Sequence, residues 1–472
     1  MLYFLGHILL LFAGILALPI PVGMLYGEFG HILSFVIPAG ISGVLGFTLR
    51  RRFESTELRL GNAMVLVALT WIIISLIGGI PYVFEIESIS LLDAFFESVA
   101  GFTATGLTIL QGSSGWLVEV PSHSLLFWRS LTQWVGGVGV IVLFLAILPR
   151  AGKFSRLLYE SEARSERMLP RIRDTAKFIW KVYIVFTLLG FLGFFLAGMD
   201  LFPAINHSMT GIATGGFSVT ADSFASYNVP IVGVGIVLMI FGGISFVIHR
   251  KVFEGEWKRL FKSTEVQLGI ALILISAIAL AVYTGFKHGL FLTTSALTGT
   301  GFSTTGLIPS AWNSFQKGVL TLLMVCGGGY GSTSSAIKLI RIVIIMGSII
   351  WLIKRSFLPD RAVVPLKIDG NVLKERDVME AATYATLYIA FLVICSLAIM
   401  VIMPGQSGSN VLFESASAQG NVGLSVGITE VAPPSVQGIL IFQMIAGRLE
   451  ILPYIALVYS IYRRVRVREQ GF

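Results

Sequence analysis

The segment Thr105-Gly106-Leu107-Thr108 decides the fold, because three related segments follow it along the chain. They are Gly215-Gly216-Phe217-Ser218, Thr300-Gly301-Phe302-Ser303 and Val422-Gly423-Leu424-Ser425. A serine or threonine also lies eight residues before each shared glycine, at Ser98, Ser208, Thr293 and Ser415. Repetition of this kind in an apolar chain predicts four similar units around a central axis. Glycines that meet at such an axis leave backbone carbonyl groups accessible, which is how a cation filter is built.

The composition of the chain is that of a membrane protein. Of its 472 residues 55% are hydrophobic and 13% are charged, whereas a soluble domain carries about 25% charged residues. Its apolar runs are about 20 residues long, enough for a helix to cross the hydrocarbon core of a bilayer. The run over residues 2–26 is too long for a signal-peptide core and predicts a first span. Because lipid cannot satisfy free backbone groups, we predict an all-α polytopic membrane protein.

The positive charge of the chain is distributed as in a polytopic membrane protein. The net charge is +8, and basic residues cluster between the apolar runs, at 50–52, 150–177, 250–262, 354–376 and 463–468. The segments around the glycine motifs are poor in basic residues and carry Glu85, Glu87, Glu119, Asp200, Asp222 and Glu430. The positive-inside rule therefore predicts cytoplasmic basic segments, cytoplasmic termini and four motifs near the outer face. This placement also argues against nucleic acid as a partner.

The chain divides into two N-terminal spans and four repeats. Residues 1–50 hold the two spans, and the repeats occupy 51–150, 151–264, 265–378 and 379–472, the last with a cytoplasmic tail. Each repeat is predicted to contain a span, a short pore helix, a filter segment and a second span. The pore helices, such as 91–101 and 411–419, are too short to cross the bilayer and are expected to be re-entrant. Two crossings return the chain to its starting side, so all four repeats share one orientation.

The filter hypothesis assigns three residues of each repeat to a cation path. A partly dehydrated cation needs oxygens at coordinating distance, and carbonyls supply them where the backbone is extended and no side chain blocks the axis. The predicted filter residues are Ala104, Thr105, Gly106, Thr214, Gly215, Gly216, Gly299, Thr300, Gly301, Asn421, Val422 and Gly423. The C-terminal ends of the pore helices add partial negative charge below them. The alternative is that these are small residues at ordinary helix contacts, which four matched copies disfavour.

A glycine-rich segment interrupts the second span of the third repeat. It reads Cys326-Gly327-Gly328-Gly329-Tyr330-Gly331-Ser332-Thr333-Ser334-Ser335 and does not match a phosphate-binding loop. Such a break at membrane depth persists only beside a cavity or other protein. We predict a movable gate beneath the filter, formed by Gly327, Gly328, Gly329, Gly331, Ser332, Thr333, Ser334 and Ser335. A static kink is the alternative.

Two arginines fall within the second spans of the first and fourth repeats. Arg448 lies in the last span, where a charge without a cavity or partner costs at least about 2.5–3.5 kcal/mol. We assign it to the gate, as a positive charge in the pore below the filter. A pair with Glu450 or with the Ser/Thr loop is the alternative. Arg129 either supports the filter or extends its charge to the membrane surface, where Trp128 and Trp134 suggest an interfacial belt.

At these residues the chain resembles the superfamily of K⁺ transporters that includes bacterial TrkH and KtrB and plant HKT proteins. The resemblance rests on the four motif glycines, the broken span around 327–335 and the segment Gly447-Arg448-Leu449-Glu450. The segment 134–139 is similar as well. Two additional N-terminal spans make the chain more similar to the TrkH branch than to KtrB.

This resemblance implies a K⁺-conducting subunit in the cell membrane of a bacterium or archaeon. It implies a homodimer with one pore per subunit, surrounded by lipid, and a cytosolic TrkA-like regulatory partner. Nucleotide is expected only on that partner, and this chain is expected to hold no covalent cofactor, with K⁺ as the transported ion. Glycine at all four filter positions goes with K⁺ preference in the superfamily.

Two other classes of function compete with this prediction. An H⁺- or Na⁺-coupled secondary transporter would have inverted repeats and acidic residues near the midplane of the bilayer. Here the repeats run parallel, and acidic residues deep within spans are scarce. A membrane enzyme would need a nucleophile–base or metal constellation, and none stands out in the sequence. We therefore predict a gated K⁺-conducting subunit that is not an enzyme, with coupled transport as the alternative.

Overall fold

The structure is a computed structural model that describes residues 1–54, 60–112, 115–117, 120–139, 142, 145, 172–305, 312–359 and 364–449. Within these residues six helices are long and apolar enough to cross a membrane, or up to seven if one bent pair is a single span. The regular structure of these described residues is helical apart from two hairpins of two strands each. The prediction of an all-α polytopic membrane protein is confirmed.

The N-terminal segment contains two of these candidate spans. The first combines α1 (Leu2–Leu16) with α2 (Pro19–Leu25), and a 3₁₀ turn (Phe29–His31) leads into the second, α3 (Ile32–Arg52). α1 and α3 approach closely because Gly6 and Gly46 face each other. A Cβ added to either glycine would lie 2.8 Å from the carbonyl oxygen of the other. Small residues therefore allow the two backbones to pack without a side chain between them.

In the part of the chain that the structure describes, each of the four repeats has a long helix followed by a short helix. The long helices are α4 (Leu60–Glu85), α7 (Ile172–Leu196), α12 (Thr264–Thr284) and α16 (Glu375–Ile402). The short helices are α5 (Leu91–Phe102), α8 (Leu201–Ile212), α13 (Phe286–Thr298) and α17 (Gly408–Gly420). The short helices have 12 or 13 residues, too few to cross a bilayer, and each ends just before a glycine motif.

Among the described residues, the second half of each repeat has shorter helices than the first span. Its main helices are α6 (His123–Val138), α9 (Val229–Gly243), α14 (Ser314–Cys326) and α18 (Pro434–Leu449). The second and third repeats continue with α10 (Phe246–Phe253), α11 (Lys258–Lys262) and α15 (Leu339–Ser356). The smaller elements are β1 (Gln111–Gly112) paired with β2 (Gly115–Trp116), β3 (Lys367–Ile368) paired with β4 (Asn371–Val372), and a 3₁₀ turn (Thr429–Val431).

Side-chain caps fix where the short helices of the first and fourth repeats begin. The Ser90 hydroxyl accepts a hydrogen bond from the Asp93 N–H, and the Asp93 carboxylate accepts one from the Ser90 N–H, both at 3.1 Å. This reciprocal pair is a capping box at the start of α5. The Ser407 hydroxyl accepts from the Asn410 N–H at the start of α17. The chain therefore leaves the long helix and re-enters a helix at positions that its own sequence specifies.

The second span of the second repeat is bent, which corrects the expectation of one continuous span there. α9 and α10 meet at an angle of 103°. The glycine-rich segment of the third repeat fills the bend. Gly329 donates a hydrogen bond to the carbonyl of Gly243 at 2.8 Å, and Phe246 donates to the carbonyl of Gly331 at 3.1 Å. Backbone groups freed by the bend are thus satisfied by protein, as membrane depth requires.

Glu28 connects the N-terminal spans to the first repeat. Its carboxylate accepts hydrogen bonds from the N–H groups of His123, at 2.7 Å, and Ser124, at 3.0 Å, at the start of α6. Burial acts to raise the pKa of Glu28, but these donors outweigh it and hold the pKa below its ordinary value. A carboxylate is also favoured at a helix N-terminus. The stability from this contact is therefore present above the ordinary carboxyl pKa and is lost as the pH falls through the depressed value.

Candidate functional site

The four motif glycines meet in one closed ring. A Cβ added to Gly106 would overlap the carbonyl oxygen of Gly215, which precedes the motif glycine of the next repeat. The same relation continues around the ring in the pairs Gly216–Thr300, Gly301–Val422 and Gly423–Thr105. The repeats therefore follow one another in chain order around the axis, and the fourth contacts the first. Ordinary helix contacts would not be expected to close into such a cycle.

The backbone of the twelve predicted filter residues is not uniformly extended, which corrects that expectation. The first residue of each triplet is left-handed, with φ of +52° at Ala104, +50° at Thr214, +73° at Gly299 and +51° at Asn421. The motif glycines are also left-handed, with φ between +81° and +97°, whereas the middle residues are not. In an extended strand successive side chains point to opposite faces, and two of the three residues in each triplet depart from that geometry. Left-handed residues other than glycine are strained, and such strain concentrates at functional sites.

Two side-chain amides hold neighbouring filter segments together. Gln133 of α6 donates to the carbonyl of Gly215 at 2.5 Å and accepts from the Phe217 N–H at 2.9 Å. Asn421 donates to the hydroxyl of Thr105 at 2.8 Å. The two Gln133 bonds join the first repeat to the second, and the Asn421 bond joins the fourth repeat to the first. The ring is therefore connected between repeats as well as by its close backbone contacts.

One position of the short helices supports the filter segment in three of the four repeats. It lies nine residues before each motif glycine and is at most 1% exposed in Glu97, His207, Leu292 and Glu414. Each polar member bonds the hydroxyl two residues after the glycine, at 2.6 Å for Glu97–Thr108, 2.9 Å for His207–Ser218 and 2.7 Å for Glu414–Ser425. The leucine of the third repeat cannot form this bond. This position was not predicted from the sequence, although the matched Ser or Thr one residue later points to it.

Arg129 is buried behind the filter and does not extend to the membrane surface. It is 1% exposed, and its neighbour Trp128 is 0% exposed, so Trp128 is not part of an interfacial belt. The guanidinium donates to the Thr108 hydroxyl at 3.0 Å and to the Glu97 carboxylate at 3.4 Å. It also lies 4.2 Å from the centroid of the Phe217 ring. A buried carboxylate partner offsets the cost of placing this charge inside the protein.

The glycine-rich segment between α14 and α15 lies against the first residues of two predicted filter triplets, Thr214 and Gly299. The Thr333 hydroxyl donates to the carbonyl of Gly242 at 2.8 Å and accepts from the Thr214 hydroxyl at 3.2 Å, both in the second repeat. The Thr333 carbonyl accepts a hydrogen bond of 2.7 Å from Arg448 of the fourth repeat. The second and fourth repeats face each other across the ring. Thr333 therefore connects opposite sides of the axis.

Hydrogen bonds within this segment give it a defined shape. Gly328 donates from its backbone to the Ser334 hydroxyl at 2.9 Å. The Ser332 hydroxyl donates to the carbonyl of Gly329 at 2.6 Å. Two glycines have φ of +71°, which glycine adopts without strain, namely Gly327 at the end of α14 and Gly331. The segment is therefore an ordered loop, and we call residues 327–335 the gate loop after the role predicted for them from the sequence.

Arg448 connects three repeats. Besides the Thr333 carbonyl, it donates to the Ser335 hydroxyl at 3.4 Å in the third repeat. It also donates to the carbonyls of Gly136, at 2.6 Å, and Gly137 in the first repeat. Glu450, the other partner considered, lies outside the described residues. The contact with the Ser/Thr loop is thus present, and a role for Arg448 in the pore stays a prediction.

The fold defines a class of protein: a helical membrane protein with four short-helix repeats arranged around one axis. A family model described as TrkH, cation transport protein, matches residues 32–283 and 274–462. The chain therefore belongs to the TrkH family of cation transport proteins. The predicted family is confirmed.

Similar proteins cover nearly the whole chain. An uncharacterised cation transporter of Methanocaldococcus jannaschii is 36% identical, over 98% of this chain and 95% of that protein. The Trk system potassium uptake protein TrkH of Salmonella typhimurium is 30% identical, over 96% of each chain. The crystal structure of the potassium transporter TrkH from Vibrio parahaemolyticus matches with a TM-score of 0.83 at 29% identity, covering 97% of each chain. These relatives are transporters, and the prediction that this chain is not an enzyme is confirmed.

Proposed function

We propose that this chain is the K⁺-conducting membrane subunit of a K⁺ uptake system, with the twelve filter residues lining the ion path. The observation that carries the proposal is the closed ring, in which each motif glycine lies against a carbonyl of the next repeat. Those carbonyls belong to Thr105, Gly215, Thr300 and Val422, and they replace the water around a partly dehydrated cation. The TrkH relatives carry names that specify potassium, which favours K⁺ as the ion.

The gate loop is assigned the role of an obstruction beneath this filter. Support comes from Thr333, which bonds to the second repeat on one side and to Arg448 of the fourth on the other. Arg448 also places a positive charge below the ring. A charge there repels a cation by about 1 kcal/mol at 4 Å in water and by more in a confined pore. Conduction requires the loop to leave this arrangement, which glycine backbone permits at low cost.

Regulation is assigned to a cytosolic partner that acts on the gate loop through α15. α15 begins just after the loop and ends with Lys354 and Arg355 in its last turn. The positive-inside rule makes that end and both chain termini cytoplasmic. The family resemblance supports a homodimer and a TrkA-like partner that binds nucleotide. A partner bound at the end of α15 can then bias the loop between two arrangements.

Growth of K⁺-uptake-deficient bacteria at low external K⁺ tests the proposed function. Cells that produce this chain together with its regulatory partner are expected to grow. Gly301→Leu places a side chain against the Val422 carbonyl and is expected to abolish growth, while membrane insertion stays at the wild-type level. Equal growth of cells that produce the wild-type protein and cells that produce Gly301→Leu, with equal amounts of both proteins in the membrane, would overturn the filter assignment.

A further inference from the structure

A cavity of about 230 Å³ lies beside the gate loop. Its walls come mainly from α9, α12 and α13, with apolar side chains such as Phe241, Ile270 and Leu297. Gly328 and Gly329 of the gate loop form one side of the cavity. An apolar cavity of this size does not hold ordered water, and a void would leave its lining without contacts. The cavity therefore suits an apolar guest.

The cavity is continuous with the surface that α12 presents to lipid. In the apolar window of α12 only 22% of residues are buried, the smallest share among the six candidate spans of the described chain. Ile270, Leu274 and Ile278 form one row along this helix and are 43%, 45% and 64% exposed. Ile270 both lines the cavity and begins this row. A hydrocarbon chain from the surrounding bilayer can therefore enter from the side.

Basic residues lie where the headgroup of such a lipid would be. α11 contributes Leu260 and Phe261 to the cavity wall, and its exposed Lys258, Arg259 and Lys262 lie on the same five-residue helix. Apolar residues that contact a lipid chain, next to exposed lysine and arginine, are typical of a segment that lies in the membrane interface. Such segments attract anionic lipids.

We propose that this cavity binds one hydrocarbon chain of an anionic membrane lipid, with its headgroup at Lys258 and Lys262, and that the bound lipid holds the gate loop in place. Glu265, in the cavity wall, accepts a hydrogen bond of 2.6 Å from the backbone of Tyr330 in the loop. A chain in the cavity packs against this contact and against Gly328 and Gly329. The effect on the loop rests on the proposed gate function, whereas the binding site does not.

Photolabelling tests the binding site. The full-length protein is placed in bilayers that contain phosphatidylglycerol with a diazirine in one acyl chain, and labelled peptides are identified by mass spectrometry. Labelling is expected on residues 266–273. Ile270→Phe fills the cavity and is expected to reduce this labelling severalfold. Ile278→Phe, the same substitution on the same row but outside the cavity, is expected to leave labelling unchanged.

A second pair of measurements tests the headgroup site. Lys258→Gln with Lys262→Gln is expected to reduce labelling by phosphatidylglycerol severalfold and leave labelling by the matching phosphatidylcholine probe unchanged. Lys181→Gln, at an exposed position of α7, serves as the charge control and is expected to leave labelling by both probes unchanged. Equal labelling by the two probes in the wild-type protein overturns the anionic lipid. Labelling that disappears when the protein dimerises assigns the cavity mouth to a second copy of the chain and also overturns the proposal.

K⁺ flux in proteoliposomes tests the effect on the gate. Flux through the wild-type protein is expected to fall severalfold as phosphatidylglycerol replaces phosphatidylcholine, and the double lysine variant is expected not to respond. A loop-shortened protein that conducts more than wild type shows that the loop is a gate. If the wild-type protein is then labelled selectively by phosphatidylglycerol but its flux does not respond to this lipid, the effect of the lipid on the gate is overturned. If the loop-shortened protein conducts no more, the gate function itself has failed, and the labelling result alone decides the lipid site.

Discussion

Each motif glycine meets two separate requirements at the scale of one residue. Its backbone is left-handed, with φ of +83° at Gly106 and +81° at Gly216, which strains any residue with a Cβ. The position of that Cβ is also taken by a carbonyl oxygen of the neighbouring repeat. A substitution there must therefore move a carbonyl that we assign to the ion path.

Gly106→Ser and Gly216→Ser are expected to lower the K⁺/Na⁺ permeability ratio severalfold. The serine side chain displaces the neighbouring carbonyl and adds a hydroxyl ligand at the ring. Permeability ratios from reversal potentials provide the measurement. Gly233→Ser is the control, because no atom lies within 4 Å of a Cβ added at Gly233. Unchanged ratios in both filter variants would refute the assignment of these residues.

Glu414→Gln is expected to weaken the fourth filter segment. The Glu414 carboxylate accepts from the Ser425 hydroxyl at 2.7 Å and from the N–H groups of Val426 at 2.9 Å and Thr429 at 3.0 Å. An amide places N–H donors where acceptors are required, and each hydrogen bond to a buried charge contributes about 1.5–3 kcal/mol. The temperature of thermal unfolding in detergent and the K⁺/Na⁺ permeability ratio are both expected to decrease. The exposed Glu87→Gln serves as the control, and wild-type behaviour of Glu414→Gln would show that this position does not support the filter.

Arg448→Ala is expected to raise K⁺ flux severalfold with selectivity largely kept. The substitution removes a positive charge below the ring and the hydrogen bond to the Thr333 carbonyl. Arg448→Lys separates the two effects, because lysine keeps the charge but lacks the planar fork that reaches several carbonyls. Flux measured in proteoliposomes decides the outcome. No change in well-folded Arg448→Ala protein would make Arg448 a structural anchor.

At the scale of elements, the second and third repeats both interrupt their second span, and the two interruptions fit each other. The break after α14 is predictable because four glycines occur within residues 327–331. The bend between α9 and α10 is not, because Gly242 and Gly243 look like small residues at an ordinary helix contact. What stabilises the bend is a hydrogen bond from Gly329, in another repeat. Local sequence cannot indicate a partner that only the folded chain brings near.

Shortening the gate loop within residues 327–335 is expected to raise K⁺ flux and weaken its dependence on the cytosolic partner. A shorter loop cannot connect the second repeat to the fourth as Thr333 does. The measurement compares flux with and without the partner. Gly318→Ala in α14, where an added Cβ meets no atom within 4 Å, serves as the control. A folded, shortened protein that conducts no more than wild type would identify the loop as a static kink.

At the scale of the whole molecule, the four repeats share one plan but are not equivalent. The plan of spans, short helices and motif glycines is predictable, because each part has its own local pattern of apolar length, cap and glycine. The differences depend on side-chain contacts that form only in the folded chain, and they could not be derived from the sequence alone. Leu292 replaces the polar support of the other repeats, Arg129 is buried against Glu97, and Gln133 serves the filter segment of the next repeat. The Gln133 contact depends in addition on the order of the repeats around the axis.

The measurement that tests the central claim most directly is the reversal potential of the current through purified protein. The protein is placed in proteoliposomes under opposed K⁺ and Na⁺ gradients, with and without a pH gradient. A passive K⁺ path through the carbonyl ring predicts reversal close to the K⁺ equilibrium potential, unchanged by the pH gradient. Reversal near the Na⁺ equilibrium potential would contradict K⁺ selectivity, and reversal that shifts with the pH gradient would establish H⁺-coupled transport instead.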